Sequence, residues 1–308
     1  MNGLMNNVKD WILQFFPQNA RIVSIYPLKG STTASLFEIT IEISDKQKEH
    51  VVLRQYDKPD AVEKSKAISW VENEANSLIV AYSLRCSSPK FIGKDKYGEV
   101  SGYPLLLMSK LPGKVDLHPI TITAWLENLA ITLKDIHQNR LKDFSSKHFR
   151  YHHPDNLNIP VWSSHPEVWG VLFQLAKQQE PMYDPIFIHR DFHPVNVLWQ
   201  GEEVTGVVDW ANGCLGHAGI DVGHCRWNLA MIYGVDEADL FLEYYIKHAE
   251  NRFSYDVYWD NVSLMDVLMD QPSVYPGWTE FGRKEITKEI LIDRIDQYAI
   301  SLYNRIKQ

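Results

Sequence analysis

The chain has 308 residues, 45% of them hydrophobic and 23% charged, which is the composition of an ordinary soluble globular protein with length for one large domain or two lobes. A net charge of −8 without a basic stripe argues against nucleic acid as the main partner, and it is compatible with a cationic substrate without requiring one. Three cysteines are too few for a disulfide framework in a chain of this size, so a reducing compartment is expected.

The first sixteen residues are neither long nor apolar enough for a signal peptide or a membrane span, which predicts a cytoplasmic protein with no membrane partner. Trp11, Ile12, Phe15 and Phe16 instead mark the inner face of a short amphipathic helix. Three strands follow, at 21–28, 35–43 and 50–56. The second shows the clearest alternation, with Phe37, Ile39, Ile41 and Ile43 on one face. Between the first two strands, Gly30, Ser31 and Thr32 sit in a small-residue turn. Such a turn can fold over phosphates, offering backbone N–H groups and hydroxyls, although an ordinary hairpin has the same composition. A long helix is expected over 61–84, with Ile68, Val71, Ala75, Leu78, Ile79 and Tyr82 as its apolar stripe. Residues 89–93 and 103–108, around a turn at Gly98, complete a small sheet. SKLPG at 109–113 reads as a crossover to a second region, which opens with a helix over 123–138.

Residues 188–199, IHRDFHPVNVLW, followed by VTGVVDW at 204–210, carry the strongest chemical signal. They place His189, Asp191 and Asn196 in the pattern H-x-D-x-x-x-x-N, with Asp209 thirteen positions beyond Asn196. Phosphoryl transfer needs one carboxylate to orient an attacking hydroxyl and further oxygen ligands to hold Mg²⁺ against nucleotide phosphates. Asp191 suits the first role, Asn196 and Asp209 the second. The local structure agrees: 185–188 is a short apolar strand, and 195–199 and 204–208 are β-prone runs around a hairpin turn at 200–203. A plainer reading of a lone Asp or Asn here is a turn cap, but four residues at this spacing favour a site. His189 is expected to fix the loop by hydrogen bonding.

Farther on, Cys214, His217, His224 and Cys225 suggest zinc, yet the order C-x2-H-x6-H-C fits no usual ligand pairing. Asp221 heads a helix expected to be amphipathic, as an N-cap or first-turn acid. Residues 236–248, 259–269 and 284–307 read as helices. Asp256, Asp260, Asp266 and Asp270, interleaved with Tyr255, Tyr258, Trp259, Tyr275 and Trp278, could grip a cationic hydroxyl compound; solvated aspartates and core aromatics are the commoner use of such residues.

HRDFHPVNVLW with VVDW resembles the aminoglycoside phosphotransferase / choline kinase family, the small-molecule branch of the protein-kinase-like fold. The resemblance is strong over 186–230 and weaker over the first 115 residues. It implies an α+β, two-lobed architecture: a small antiparallel-sheet nucleotide-binding lobe at 1–109 and a larger, mostly helical catalytic and substrate-binding lobe at 110–308. It further implies transfer of the γ-phosphate of ATP, or of GTP, with Mg²⁺, to a hydroxyl of a small molecule. In such enzymes the residue matching Asp191 is the base, and those matching Asn196 and Asp209 bind the metal. The family's phosphate-contacting basic residue falls on Arg54, where protein kinases carry Lys. Val52, two positions earlier on the same strand face, would line the adenine pocket. The acid pairing with that basic residue is Glu72 or Glu74, which periodicity does not separate; the run Glu74-Ala75-x-x-Leu78 matches the family better and selects Glu74. Backbone groups near Ser109 and Leu111 would meet the adenine edge, and Asp221 would brace the catalytic loop.

Only eleven residues lie between Asp209 and Asp221. Protein kinases use a longer segment there, ending in A-P-E, to dock a peptide, so the acceptor is expected to be a small molecule. Two rival readings remain at the level of sequence. One is a nucleotide-binding pseudokinase, suggested by Arg54. The other is a metal-dependent phosphohydrolase using His189, Asp191 and His193 as ligands, against which stands the lack of a companion Asp/His motif upstream. Oligomeric state is not legible.

Overall fold

Strict alternation decides the first sheet. Ile39 and Ile41 of β2 (Ser35–Ser44) are fully buried on one face, opposite Val51 and Glu49 of β3 (Gln47–Gln55). The structure, a computed structural model, describes residues 5–31, 33–58, 64–139, 141–268 and 271–307. Its chain divides into two compact units, Met1–Pro112 with Gly206–Asn212, and Gly113–Thr205 with Gly213–Gln308. The architecture is α+β.

In the first unit, β1 (Arg21–Leu28), β2, β3, β4 (Phe91–Asp95) and β5 (Leu105–Ser109) form one antiparallel sheet in the order β1-β2-β3-β5-β4. Its core joins Ile39, Ile41, Val51, Leu53, Leu105 and Leu107 to Val8, Trp11 and Ile12 of α1 (Asn6–Leu13). Phe15 lies beyond the end of α1 and is partly exposed, its ring standing where a side chain at Gly93 would go. Because side chains alternate, Leu53 enters that cluster while Arg54 turns to the other face.

The helix expected over 61–84 is α2, Lys64–Ala81; residues 61–63 lie outside the described residues. It closes where Ser83 N–H and Oγ both turn back onto the Val80 carbonyl, the tighter spacing of a helix end. Its inner face also differs from the expected stripe. Val71, Ala75 and Leu78 are buried, but Ile79 and Tyr82 are 58% and 62% exposed. Their places on the inner face are taken by Glu74, Ser77 and Ala81. Hydrophobicity was the wrong guide because the helix turns a carboxylate inward to meet a charge on the sheet.

The second unit is mostly helical: α3 (Ile122–His137), α4 (Pro166–Ala176), α5 (Ala218–Ile232), α6 (Val235–Ala249), α7 (Val257–Val267), α8 (Pro276–Glu280) and α9 (Lys288–Ile306), with the short pair β6 (Ile186–Ile188) and β9 (Cys214–Gly216). The hairpin of β7 (Val197–Gln200) and β8 (Glu203–Val207) forms as expected around Gly201, whose φ of 63° suits the turn. The helix expected over 259–269 starts at Val257, capped by Asp256, and ends at Val267; Met269 and Asp270 lie outside the described residues.

α5 is not the amphipathic helix that was expected. It is buried almost all round, because α6, α7 and α9 pack about it and leave no wet face. Gly223 lets α7 approach: a Cβ there would stand 2.9 Å from Asp260 Cα and 3.0 Å from the Trp259 carbonyl oxygen. Arg226, wholly buried on α5, is neutralised by Asp260 and Asp239 and faces the rings of Tyr255 and Tyr298. The three cysteines are buried thiols outside any disulfide, and among the described residues no helix is long and apolar enough to cross a membrane.

Candidate active site

In the second unit the chain leaves β6 at Ile188 and turns sharply through His189, Arg190 and Asp191. Arg190 sits in the left-handed region at φ 66°, a conformation an L side chain adopts only when its surroundings enforce it. The enforcing group is Asp221, in the first turn of α5. Its fully buried carboxylate accepts the N–H of His189 at 2.8 Å and of Arg190 at 2.5 Å, and contacts His137 Nε2 at 3.0 Å. His137 Nδ1 in turn meets the Tyr245 hydroxyl at 2.6 Å. Burial alone would raise the Asp221 pKa, but His137, His189 and the loop N–H groups outweigh it and hold the carboxyl below its ordinary value. His217, not Asp221, caps the helix.

A carboxyl depressed in the folded state stabilises above its unfolded pKa of about 4, and that stability is lost as pH falls through the lower folded value. Asp221→Asn should therefore lose stability at neutral pH, while its unfolding midpoint changes less than the wild type's as pH falls below about 4. Urea titrations at a series of pH values check this; parallel acid limbs for the two proteins would reject the brace.

His189 Nδ1 accepts the Asp191 N–H at 3.3 Å, the loop-fixing role expected of it. The Arg190 guanidinium donates to the Phe149 carbonyl at 2.6 Å, lies 3.4 Å from Asp266, and packs over the Phe149 and Tyr151 rings. Asn196, on the short turn before β7, donates from Nδ2 to the Asp191 carbonyl at 2.9 Å. That bond orients the amide, and its oxygen accepts no hydrogen bond among the described residues.

The Asp191 side chain is 30% exposed and flanked by two imidazoles, His224 Nε2 at 3.1 Å and His193 Nε2 at 3.8 Å. Burial would raise its pKa, but the His224 hydrogen bond and the positive potential of His193, His224 and His189 hold the carboxyl far below the usual range. It is an acceptor at any physiological pH. In the sequence His224 stood only in the cysteine–histidine pattern with Cys214, His217 and Cys225, and nothing local tied it to Asp191, since it arrives from α5; His193 lay within the motif. The cluster that forms is thus Asp191, His193 and His224, rather than the His189 set of the phosphohydrolase reading.

The first unit holds the remaining site residues. Arg54 Nη1 stands 3.1 Å from the Glu74 carboxylate and 2.8 Å from Asp209 Oδ1, and the Tyr56 hydroxyl donates to Glu74 at 2.7 Å. Glu72 points elsewhere, to Lys94 at 2.7 Å and Lys96 at 3.5 Å. The geometry thus separates the two glutamates that periodicity could not. Asp209 follows β8 in the left-handed region at φ 64°. Arg54 Nε, though buried, has no hydrogen-bond partner among the described residues.

Gly30 has φ 95°, the Ser31 hydroxyl accepts the Ala34 N–H at 3.2 Å, and Lys58 Nζ donates to the Ser31 carbonyl. Lys58 had not been singled out from sequence. Thr32 lies outside the described residues. Val52 is half-buried on β3, opposite Glu38 and Met108. The N–H groups of Ser109 and Lys110 are used by the carbonyls of Lys90 and His50, whereas no such bond engages the Leu111 N–H among the described residues.

Three of the four C-terminal aspartates serve the fold. Asp256 caps α7, Asp260 neutralises Arg226, and Asp266 accepts the Tyr151 N–H at 2.9 Å beside Arg190.

The family model of the Phosphotransferase enzyme family (APH) matches residues 38–258. No curated protein sequence matches the chain. Among solved structures, a candidate aminoglycoside phosphotransferase from Ralstonia eutropha JMP134 superposes with a TM-score of 0.62 at 15% identity, covering 98% of each chain. A thermostable mutant of aminoglycoside phosphotransferase APH(4)-Ia, in a ternary complex with AMP-PNP and hygromycin B, gives 0.59 at 13% identity over 97% of each. Amicoumacin kinase hAmiN, in complex with AMP-PNP, Ca²⁺ and Ami, gives 0.53 at 14% identity over 93% of this chain and 96% of its own. At such identities these structures speak for a shared kinase-like fold, while the family match spans more than half of the sequence: the chain belongs to the Phosphotransferase enzyme family.

Proposed function

We propose that the chain transfers the γ-phosphate of ATP to a hydroxyl group of a small molecule, with Asp191 as the base. The observation that carries this reading is the loop Asp191–Asn196. Its carboxylate is kept ionised and partly exposed, and its amide is turned so that the oxygen is left over for another partner. Asn196 and Asp209 are each offered as oxygen ligands for Mg²⁺; amide and carboxylate oxygens are the donors that hard ion takes. Arg54, whose buried Nε is unused among the described residues, suits a phosphate oxygen, and Glu74 holds it in place. When bound, Mg·ATP supplies the phosphoryl group and the metal that offsets its charge.

The residues then divide the work. Asp191 accepts the hydrogen bond of the acceptor hydroxyl and aims its oxygen, and His224 and His193 keep that carboxylate charged. Gly30 and Ser31 belong to the turn offered to the phosphates, with Thr32 as the hydroxyl that the sequence adds to them, Lys58 holds the Ser31 carbonyl, and Val52 lines the adenine side. For the adenine edge the Leu111 N–H, unengaged among the described residues, is the better donor, since the Ser109 N–H and hydroxyl already serve Lys90. Most of the acceleration comes from positioning and electrostatics.

The short stretch from Asp209 to Asp221 favours a compact acceptor over a peptide, and hygromycin B and Ami in solved structures of the same fold support a hydroxyl-bearing small molecule. Since Asp256, Asp260 and Asp266 are committed internally, they give no reason for the acceptor to be a cation. Incubation with γ-labelled ATP and a panel of aminoglycosides, macrolides, choline, homoserine and sugars should label one class, and Mg·ATP alone should raise the melting temperature. Absence of any Mg·ATP-induced shift at millimolar nucleotide, with GTP equally silent, would end this reading.

A further inference from the structure

Asp191, His193 and His224 offer one carboxylate oxygen and two imidazole nitrogens that all lie within 4.8 Å of one another. We propose that these three side chains bind a single Zn²⁺ ion, and that zinc at this site competes with the acceptor hydroxyl for the Asp191 carboxylate. The competition rests on Asp191 being the base; the binding does not.

The donor set distinguishes this ion from magnesium. Imidazole nitrogens suit zinc and its transition-metal neighbours, whereas Mg²⁺ keeps to oxygen. Tetrahedral zinc with bonds of about 2.0–2.1 Å places neighbouring donors roughly 3.3 Å apart. Asp191 Oδ1 is 3.1 Å from His224 Nε2 and 3.8 Å from His193 Nε2, and all three donors lie within 4.8 Å of one another, so the carboxylate pairs are near tetrahedral spacing and the two imidazoles close on the ion by rotating toward it. Three protein ligands leave one position for water, and the exposure of Asp191 provides entry.

Both rings are held in advance. Asn228 Nδ2, one turn along α5, donates to the His224 carbonyl at 3.0 Å and lies 3.3 Å from His224 Nε2, the nitrogen that faces Asp191 and that zinc would take over. The His193 side chain, 6% exposed, packs edge-on against the rings of His224 and Tyr275. Fixed rings lose little freedom when they coordinate a metal. The cysteines that tempted a zinc assignment in the sequence take no part. Cys214 and Cys225 are buried, with the Cys214 thiol pushed by burial up to about 12 and the Cys225 thiol well above its ordinary value, and His224 faces Asp191 instead.

The test titrates Zn²⁺ into tag-free, chelator-treated protein against a chromophoric chelator, with Co²⁺ absorption reporting coordination. Wild type should take up one equivalent and give intense visible Co²⁺ bands. His224→Ala and His193→Ala should each bind at least about tenfold more weakly, and His224→Gln serves if the alanine variant fails to fold by circular dichroism. No stoichiometric uptake, or uptake unchanged by these substitutions, overturns the site. Phosphotransfer unaffected by zinc in a wild type shown to bind it overturns the competition. Zinc uptake as expected, in a protein that transfers no phosphate to any acceptor, would instead strike the proposed function and leave the site standing.

Discussion

Asp191→Ala should lower turnover by about 10²–10⁴-fold, the range that a positioned base contributes, while nucleotide affinity stays largely intact. The separation follows from what Asp191 touches. Its carboxylate meets His193, His224 and the Asn196 amide, whereas Arg54 and Asp209 pair with each other in the first unit. Asp191→Asn is the sharper test, since it keeps the shape and loses the acceptor charge. Steady-state turnover with the identified acceptor and calorimetric titration of Mg·nucleotide read the two quantities separately. A variant that keeps most of its turnover would remove Asp191 from the reaction; one that loses nucleotide binding in proportion would make it a binding residue instead.

Arg54→Met should cost about 3–5 kcal/mol of stability, because it strips a buried carboxylate of its counter-charge. Glu74 is fully buried and, among the described residues, would keep only the Tyr56 hydroxyl. Burial already raises the Glu74 pKa, against the pull of Arg54, and loss of Arg54 raises it further. A carboxyl whose pKa is higher folded than unfolded gains protons on folding, so the variant should recover stability as pH falls through that folded value toward the unfolded pKa of about 4.3. Urea midpoints at pH 7 and pH 5 should show the deficit shrinking with acid. Arg54→Met combined with Glu74→Gln should be less unstable than the single substitution, a coupling that the double-mutant cycle measures. Midpoints equal to wild type at both pH values would mean that the pair carries no weight in the fold.

Glu74 also marks a limit of periodicity. The stripe of α2 predicted an apolar inner face including Ile79 and Tyr82, and both are exposed, while a carboxylate lies inside. The pattern assumes that hydrophobicity decides orientation; here the charge of Arg54 on β3 decides it, and one helix cannot know what faces it. The same holds for α5. Its sequence reads as half wet because it contains Asp221, His224 and Arg226, yet its faces are covered and each of the three has a partner from a distant element.

Strand alternation, the hairpin around Gly201, the turn at Gly30 and the order of His189, Asp191, Asn196 and Asp209 are local quantities, set by backbone geometry and neighbouring side chains, and the amino-acid sequence determined them unaided. Which glutamate meets Arg54, and that His224 and His193 flank the Asp191 carboxylate, depended on elements up to dozens of residues apart packing against one another. Only the tertiary structure decided those pairings, because burying a charge is tolerated solely where the completed fold brings its partner to it.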